Sequence, residues 1–105
     1  MIDIESLRKL NRPEHIVITE HARQRLIERE ITVNDIVQCI DGGEIIKQYE
    51  DDKPFPSCLI LGMAVNGNYI HVVVGQDNKW IYLITAYHPN TDVWESDFKT
   101  RKERS

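Results

Sequence analysis

Residues 57–87 read S-C-L-I-L-G-M-A-V-N-G-N-Y-I-H-V-V-V-G-Q-D-N-K-W-I-Y-L-I-T-A-Y, which is three apolar runs separated by turn residues. Runs rich in Val, Ile, Leu and Tyr and bounded in this way predict β-strands. Asn66-Gly67 is the strongest hairpin signal, because both residues tolerate the positive φ of a type I′ turn. Asp77-Asn78 is a second candidate turn. The stretch therefore predicts an antiparallel meander whose first strand, apolar on both faces, lies inside the sheet.

A two-residue turn at Asp77-Asn78 would set the register of the last two strands. The expected pairs are Val74 with Ile81, Val72 with Leu83, and Ile70 with Thr85. These residues would form one apolar face for helices to cover. The opposite face would be open and rich in aromatic rings, which makes it a candidate surface for binding or dimerisation. Its residues would be Tyr69, His71, Val73, Trp80, Tyr82 and Ile84.

The residues before residue 57 carry helical and strand-like patterns in turn. Thr19 and Thr32 are natural N-caps, because a threonine hydroxyl accepts a hydrogen bond from the first turn of a helix. Gly42-Gly43 is a typical helix end. The expected segments are helices at 2–10, 20 to about 30 and 33 to about 40, and strands at 15–18 and 44–50.

Together these segments predict an α+β fold, in which short N-terminal helices pack on a curved, four- to five-stranded, mainly antiparallel sheet. We expect an N-terminal helix and linker at 1–14, a single α+β domain at 15–94 and a charged tail at 95–105. Trp94 and Phe98 should lie over the edge of the core. The tail's basic residues should be frayed and solvated; they are Lys99, Arg101, Lys102 and Arg104.

The composition limits the classes of function. With 17 acidic and 13 basic residues the net charge is −4, which argues against a generic electrostatic grip on nucleic acid. Any such role must be local. No apolar run approaches the roughly 20 residues that span a bilayer, and the N-terminus lacks the blocks of a signal peptide. We therefore expect a cytoplasmic protein with no membrane partner, in which Cys39 and Cys58 are buried and unreactive.

His21, Arg25 and Arg29 recur at four-residue steps along the second predicted helix. At about 100° per residue they project within an arc of roughly 80°. Like charges four residues apart cost a few tenths of a kcal/mol, and an anion would offset that cost. One candidate is an external phosphate or carboxylate. The alternative is a structural network of ion pairs that holds the helix to the sheet; its acidic members would be among Glu28, Glu44, Glu50 and Asp52.

Three further residues are candidates on the strands. His71 lies in mid-strand, where it is either a packed, hydrogen-bonded residue or a proton-transfer group. Thr85 and Tyr87 would bring two hydroxyls to the end of the last strand. Tyr87 could donate to a phosphate, stack on a base or close the edge of the core. The four histidines have no metal-ligand spacing, so we predict no metal and no cofactor.

The motifs T-E-H-A-R-Q-R-L-I-E-R-E-I-T at 19–32 and D-G-G-E-I-I-K-Q-Y at 41–49 are followed by C-L-I-L-G, I-H-V-V-V and L-I-T-A-Y-H-P. In this order they resemble the domain of unknown function family 4258, over roughly residues 15–94. The resemblance implies a RelE/BrnT-like toxin fold, and it implies that some members are encoded beside zinc-finger antitoxins. Carried over by position, the family's marked polar residues are His21, Arg25, Arg29, His71, Thr85 and Tyr87.

Two hypotheses follow. In the first, the chain is a metal-independent endoribonuclease toxin that cleaves RNA and pairs with a zinc-finger antitoxin. His21 would act as acid or base, Arg25 and Arg29 would hold the phosphate, and Tyr87 would orient or stack on the substrate. In the second, the chain is a non-catalytic binding module whose aromatic face docks a protein partner or a second copy in a homodimer. The residues of that face would be Tyr69, Trp80 and Tyr82.

Overall fold

A computed structural model describes residues 1–103 of the chain, so Arg104 of the basic tail lies outside the described residues. The helices are α1 (Ile4–Leu10), α2 (Glu20–Glu28) and α3 (Val33–Gly42), with a short 3-10 helix at Pro13–His15. The strands are β1 (Ile16–Ile18), β2 (Glu44–Tyr49), β3 (Ser57–Met63), β4 (Tyr69–Gln76) and β5 (Ile81–Tyr87). They form one sheet in the order β1-β5-β4-β3-β2. Only β1, which runs parallel to β5, departs from antiparallel pairing. The predicted α+β fold is confirmed.

Both predicted N-caps are confirmed. The Thr19 hydroxyl accepts a hydrogen bond from the backbone N–H of Ala22 at 3.1 Å. Thr32 forms a reciprocal pair with Asp35, because each side chain accepts from the other's backbone N–H, at 3.1 and 2.8 Å. Caps of this kind typically stabilise a helix by about 1 kcal/mol. They fix where α2 and α3 begin. The cap of α2 thereby also fixes the positions of His21, Arg25 and Arg29 along the helix.

The helices cover one face of the sheet. The buried residues of this core are contributed by α1, α2 and α3 and by β1 and β3–β5; among them are Leu7, Leu26, Ile36, Ile40, Ile60, Ile70, Val72, Val74, Ile81 and Leu83. α1 is tied to α3 by Arg8, which donates to the carbonyl oxygens of Ile40 and Gly43 at 3.2 and 2.8 Å. The N-terminal helix therefore shares the core of the sheet.

The register predicted for β4 and β5 is wrong. Asp77 does not enter the turn, because its Oδ1 accepts from the backbone N–H groups of Lys79 and Trp80, both at 2.8 Å, and closes the hairpin around Asn78-Lys79. Ile84 is an extra, unpaired residue in β5. The pairs observed are Val74 with Leu83, Val73 with Thr85, Val72 with Ala86, and His71 with Tyr87.

This bulge moves the end of β5 to the other side of the sheet. We call the face turned away from the helices the second face. Because one residue is skipped at Ile84, Thr85 and Tyr87 lie beside Val73 and His71 on the second face, and Ala86 joins the core. Thr85 was expected on the helix side.

The hairpin at Asn66-Gly67 forms where it was predicted, although not as a type I′ turn. Gly67 has a φ of +87°, but Asn66 has no positive φ. The Gly67 N–H donates to the Ala64 carbonyl at 3.0 Å, so Val65 and Asn66 are the central residues of the turn. This is a three-residue connection that ends on a left-handed glycine.

Residues 93–102, here called the C-terminal segment, fold over the second face. Trp94 packs with Leu59 and Val73, with Phe98 beside them. Trp94 forms a backbone bridge with Arg101, and Lys99 pairs with Glu44. The expectation of a frayed tail is therefore wrong, although Lys99, Arg101 and Lys102 are exposed as expected. The second face is covered in its middle, whereas Tyr69, Trp80 and Ile84 remain exposed. Trp94 and Phe98 bury apolar surface that the helices do not reach.

No helix among residues 1–103 is long and apolar enough to cross a membrane.

Gly62 and Gly43 allow the end of α3 to lie directly on β3. A Cβ at Gly62 would be 2.5 Å from the carbonyl oxygen of Cys39, and one at Gly43 would be 2.4 Å from the same oxygen. Gly42, one residue away in the helix, has nothing within 4 Å of its ideal Cβ. Contact between backbones, rather than turn formation, therefore requires glycine here.

We predict that Gly62→Ala lowers the free energy of unfolding by about 1–3 kcal/mol, since backbone atoms must shift to admit the methyl group. The matched control Gly42→Ala should leave it unchanged or raise it by about 0.5–1 kcal/mol, because alanine is the better helix former. Urea denaturation followed by tryptophan fluorescence measures both values. Equal stability of the two variants would contradict the packing argument.

Candidate functional site

Arg29 lies at the C-terminal end of α2 and reaches the edge of the sheet. Its Nη1 donates to the Ala86 carbonyl oxygen at 2.8 Å and to the Thr85 hydroxyl at 3.2 Å. β1 pairs only with Ile81–Leu83, so the last residues of β5 have no strand on that side. The guanidinium takes the place of the missing strand there.

The charge of Arg29 has no acidic partner. The side chain is half-buried, and none of the ion pairs among residues 1–103 includes it. Its two acceptors are neutral oxygens, and both bonds use Nη1, which leaves the other guanidinium N–H groups available. Arg8 and Arg25, by contrast, pair with Glu5 and Glu28. Arg29 is therefore a positioned cation that can receive an anion.

His71 and Tyr87 form a hydrogen-bonded pair next to this edge. His71 is fully buried, and its Nε2 lies 2.8 Å from the carbonyl oxygen of Phe98. A carbonyl oxygen only accepts, so Nε2 carries the proton. Nδ1 then accepts from the Tyr87 hydroxyl at 3.2 Å. The phenol proton is thus directed at His71, and the lone pairs of the phenol oxygen can accept another hydrogen bond.

The pKa shifts agree with these roles. Burial lowers the pKa of His71 below its usual 6.5, against the opposing effect of the Phe98 carbonyl. Burial, and secondarily Tyr49, raise the pKa of Tyr87, whereas Arg101 and Arg29 oppose that rise. At neutral pH the imidazole is therefore neutral and the phenol protonated. The pair therefore rests with the Tyr87 phenol donating to a neutral His71, and both shifts add to the free energy needed to move the proton from Tyr87 to His71.

Sequence reasoning missed two residues of this face. A second bulge, at Ile46, places Tyr49 on the second face beside Trp94. The Arg101 guanidinium lies 5.5 Å from the centre of the Trp94 ring. Tyr49 gave no signal of its own, whereas Trp94 and Phe98 in a charged tail could have shown that the residues near Arg101 pack on the sheet.

The three basic residues of α2, namely His21, Arg25 and Arg29, do not converge on one site. His21 is exposed and its side chain makes no hydrogen bond or ion pair with residues 1–103. Arg25 pairs with Glu28 at 3.3 Å within the helix. Glu28 was one of the acidic residues named in the ion-pair alternative, but this pair does not hold the helix to the sheet. His21 is eight residues from Arg29, or about 12 Å along the axis. Only Arg29 contacts the residues at the end of β5.

The three aromatic residues proposed for docking lie apart. Tyr69, at the start of β4, packs against Phe98 with ring centres 5.6 Å apart. Trp80 packs against His15 at 5.9 Å and Tyr82 against Phe55 at 4.8 Å. Tyr82 lies opposite Gly75, six residues and thus about 20 Å along β4 from Tyr69. They do not make one continuous patch.

Groups for other chemistries are sparse. Among residues 1–103 there is no group of three or more His, Cys, Asp or Glu side chains that could hold a metal ion. Cys39 and Cys58 are buried as expected, and burial raises the pKa of each thiol to about 12. A thiol with that pKa is protonated at neutral pH and is a poor nucleophile.

Fold and site together define a small α+β protein with an arginine–tyrosine–histidine cluster at the end of its sheet. The model of the family described as Domain of unknown function (DUF4258) matches residues 18–88, and the chain belongs to this family. The predicted family membership is confirmed. Searches of curated proteins and of solved structures found no match.

The burial of His71 predicts a pH dependence of stability. Its pKa is lowered in the folded chain, so below pH 6.5 the unfolded chain binds more protons and unfolding is favoured. The free energy of unfolding should therefore be at its full value above pH 6.5 and fall as the pH drops toward the lowered pKa. Denaturation measured from pH 7 to pH 5 should show this fall in the wild type and a smaller one in His71→Gln.

The exposed His21 supplies the control. His21→Gln should keep the wild-type dependence, because the exposed His21 side chain makes no hydrogen bond or ion pair with residues 1–103. A slope in His71→Gln as steep as that of the wild type would show that a different group is responsible.

Proposed function

We propose that the chain is a toxin-like endoribonuclease. Its site is formed by Arg29, Tyr87 and His71, and these side chains carry out the cleavage of RNA without a metal ion. The carrying observation is the guanidinium of Arg29, which is half-buried, bound only to neutral oxygens and next to Tyr87 on β5. A protein with 17 acidic residues has ample carboxylates to neutralise an arginine. A phosphate is an anion that can accept two parallel hydrogen bonds from the planar guanidinium.

The proposed reaction is transfer of the phosphoryl group to the neighbouring ribose hydroxyl. The 2′-oxygen bonds to phosphorus as the bond to the 5′-oxygen breaks, giving a 2′,3′-cyclic phosphate and a 5′-hydroxyl. Tyr87 accepts the 2′-proton while its own proton passes to Nδ1 of His71, and the leaving oxygen takes a proton from water. His71 then returns its proton through Tyr87 to solvent. Arg29 stabilises the charge that develops on the phosphate oxygens.

Thr85, Arg25 and His21 have supporting roles in this proposal. Thr85 holds Arg29 in place through the 3.2 Å hydrogen bond. His21 and Arg25 extend along α2 away from Arg29 and would contact neighbouring phosphates of the strand. The pair between Arg25 and Glu28 is partly exposed, so it is worth little and a phosphate can compete for the guanidinium. His21 is thus assigned to binding and not to proton transfer.

The wider biological setting follows from the resemblance to toxins. We propose RNA as the substrate, a zinc-finger antitoxin as the partner and the cytoplasm as the place of action. A homodimer and the RelE/BrnT-like relationship stay predictions.

The test is cleavage of a single-stranded RNA oligonucleotide by the purified chain, with EDTA present. The wild type should produce 2′,3′-cyclic phosphate ends. Arg29→Ala and Tyr87→Phe should each lower the rate by about 10²–10³-fold, the usual loss when a group that stabilises a transition state is removed. Their thermal unfolding should be measured alongside, since a loss of activity is informative only in a folded variant.

Two matched variants separate the site from general effects. Arg23→Ala removes an exposed arginine of the same helix, and Tyr82→Phe removes a hydroxyl that bonds Asp77 elsewhere on β5. Both should cleave within about twofold of the wild type. Wild-type chain that cleaves no RNA at any ratio of protein to substrate would contradict the proposal and favour the protein-binding alternative.

A further inference from the structure

Arg101 is held in place more firmly than its position near the end of the chain suggests. The C-terminal segment forms a small hairpin, in which Glu95 N–H donates to the Thr100 carbonyl and Lys102 N–H to the Val93 carbonyl, both at 2.8 Å. Asp97 caps the turn by accepting from the backbone N–H groups of Lys99 and Thr100 at 2.9 and 3.0 Å. Within this frame the Arg101 guanidinium is 5.5 Å from the Trp94 ring centre, a cation–π distance.

The same segment is joined to the His71–Tyr87 pair. Trp94 meets the His71 ring edge-on, with ring centres 4.6 Å apart, and the Phe98 carbonyl receives the His71 Nε2 proton. The Trp94 ring therefore lies between the Arg101 guanidinium and the His71 imidazole and contacts both. The field of Arg101 also reaches the phenols of Tyr87 and Tyr49, since it opposes the rise in the pKa of each.

Arg101 resembles Arg29 in having no acidic partner among the residues that the structure describes. None of the ion pairs among residues 1–103 includes Arg101, although Lys99 two residues earlier pairs with Glu44. Arg29 approaches Tyr87 from the end of α2, and Arg101 approaches from the C-terminal segment. Two guanidiniums that pair with no carboxylate among residues 1–103 thus both oppose the rise in the pKa of Tyr87, from two separate parts of the chain.

We propose that Arg101 is a second phosphate-binding residue of this site, so that Arg29 and Arg101 together hold the phosphate backbone of a single nucleic-acid strand across Tyr87. The ligand class rests on the proposed function, whereas the placement of Arg101 rests on its contact with Trp94, which packs against the His71 that bonds Tyr87. Arg101 is exposed while its guanidinium lies near the Trp94 ring, so its N–H groups can donate to phosphate oxygens. A lysine could supply the charge but neither the stacking nor the paired donors.

The experiment measures binding of a fluorescent 2′-deoxy oligonucleotide, which lacks the 2′-hydroxyl and cannot be cleaved by the proposed reaction. Arg101→Ala in the full chain should weaken binding about tenfold and make the plot of log K against log salt shallower by about 0.7, the share of one phosphate contact on a single strand. Lys102→Ala, the neighbouring exposed cation, is the matched control and should change the affinity by less than about twofold. Arg101→Lys should recover only part of the loss.

A second readout is independent of any ligand. Titration of the tyrosines by ultraviolet absorbance should show a higher phenol pKa in Arg101→Gln than in the wild type, because the cation that opposes the rise is gone. An unchanged phenol pKa in folded Arg101→Gln would show that Arg101 does not lie near these phenols, and would overturn the placement on which the inference rests.

The outcomes are separable. Wild-type chain that binds the deoxy strand through Arg101 but cleaves no RNA would support this inference and overturn the nuclease proposal. Cleavage by the wild type, together with equal binding affinities of Arg101→Ala and Lys102→Ala, would support the nuclease proposal and overturn the role of Arg101. Absence of binding by the wild type would overturn the role of Arg101.

Discussion

Two extra residues in the sheet decide which side chains can meet. Without the bulge at Ile84, strict alternation would turn Thr85 and Tyr87 toward the helices, on the side of Leu83. The bulge at Ile46 has the same effect in β2 and brings Tyr49 to the second face. Bulges bend a strand and redirect its side chains, and they are common next to active sites. The hydrogen bond between Tyr87 and His71 exists because β5 carries one residue more than its partner.

The second face becomes a site only when the C-terminal segment covers it. Phe98 takes a left-handed φ of 58°, which costs a residue with a Cβ about 1–2 kcal/mol. Its carbonyl oxygen then lies on His71 Nε2, and its ring packs beside the cluster of Leu59, Val73 and Trp94. Burial of these apolar side chains offsets the strain. The result is a buried imidazole in the middle of the sheet, whose Nε2 faces the Phe98 carbonyl and whose Nδ1 faces the Tyr87 hydroxyl.

The parts that could be predicted from sequence are those governed by near neighbours. Thr19 and Thr32 cap helices through groups three residues away, so their roles were evident from the chain itself. The bulge at Ile84 was not evident from the chain. The run L-I-T-A-Y is nearly as apolar with the extra residue as without it, so the sequence shows no break in the alternation of apolar and polar residues. Asp77 looked like a turn residue and instead closes the turn with its carboxylate. The position of Arg101 depends on the packing of the C-terminal segment on the sheet, for which Trp94 and Phe98 are the sequence signal.

Net charge is a poor guide to this site. The chain carries −4 overall, but charges farther apart than about 8–10 Å are largely screened at physiological salt. Within that distance what counts is whether a cation is already neutralised. Arg8 and Arg25 have carboxylate partners, whereas the partners of Arg29 within residues 1–103 are the neutral oxygens of Thr85 and Ala86. An incoming phosphate would therefore meet an unneutralised guanidinium in a partly dry setting, where a single ion contact is worth more than one on the open surface. The acidic surface can still oppose nonspecific association with nucleic acid at long range, which would leave binding to the few groups that surround Tyr87.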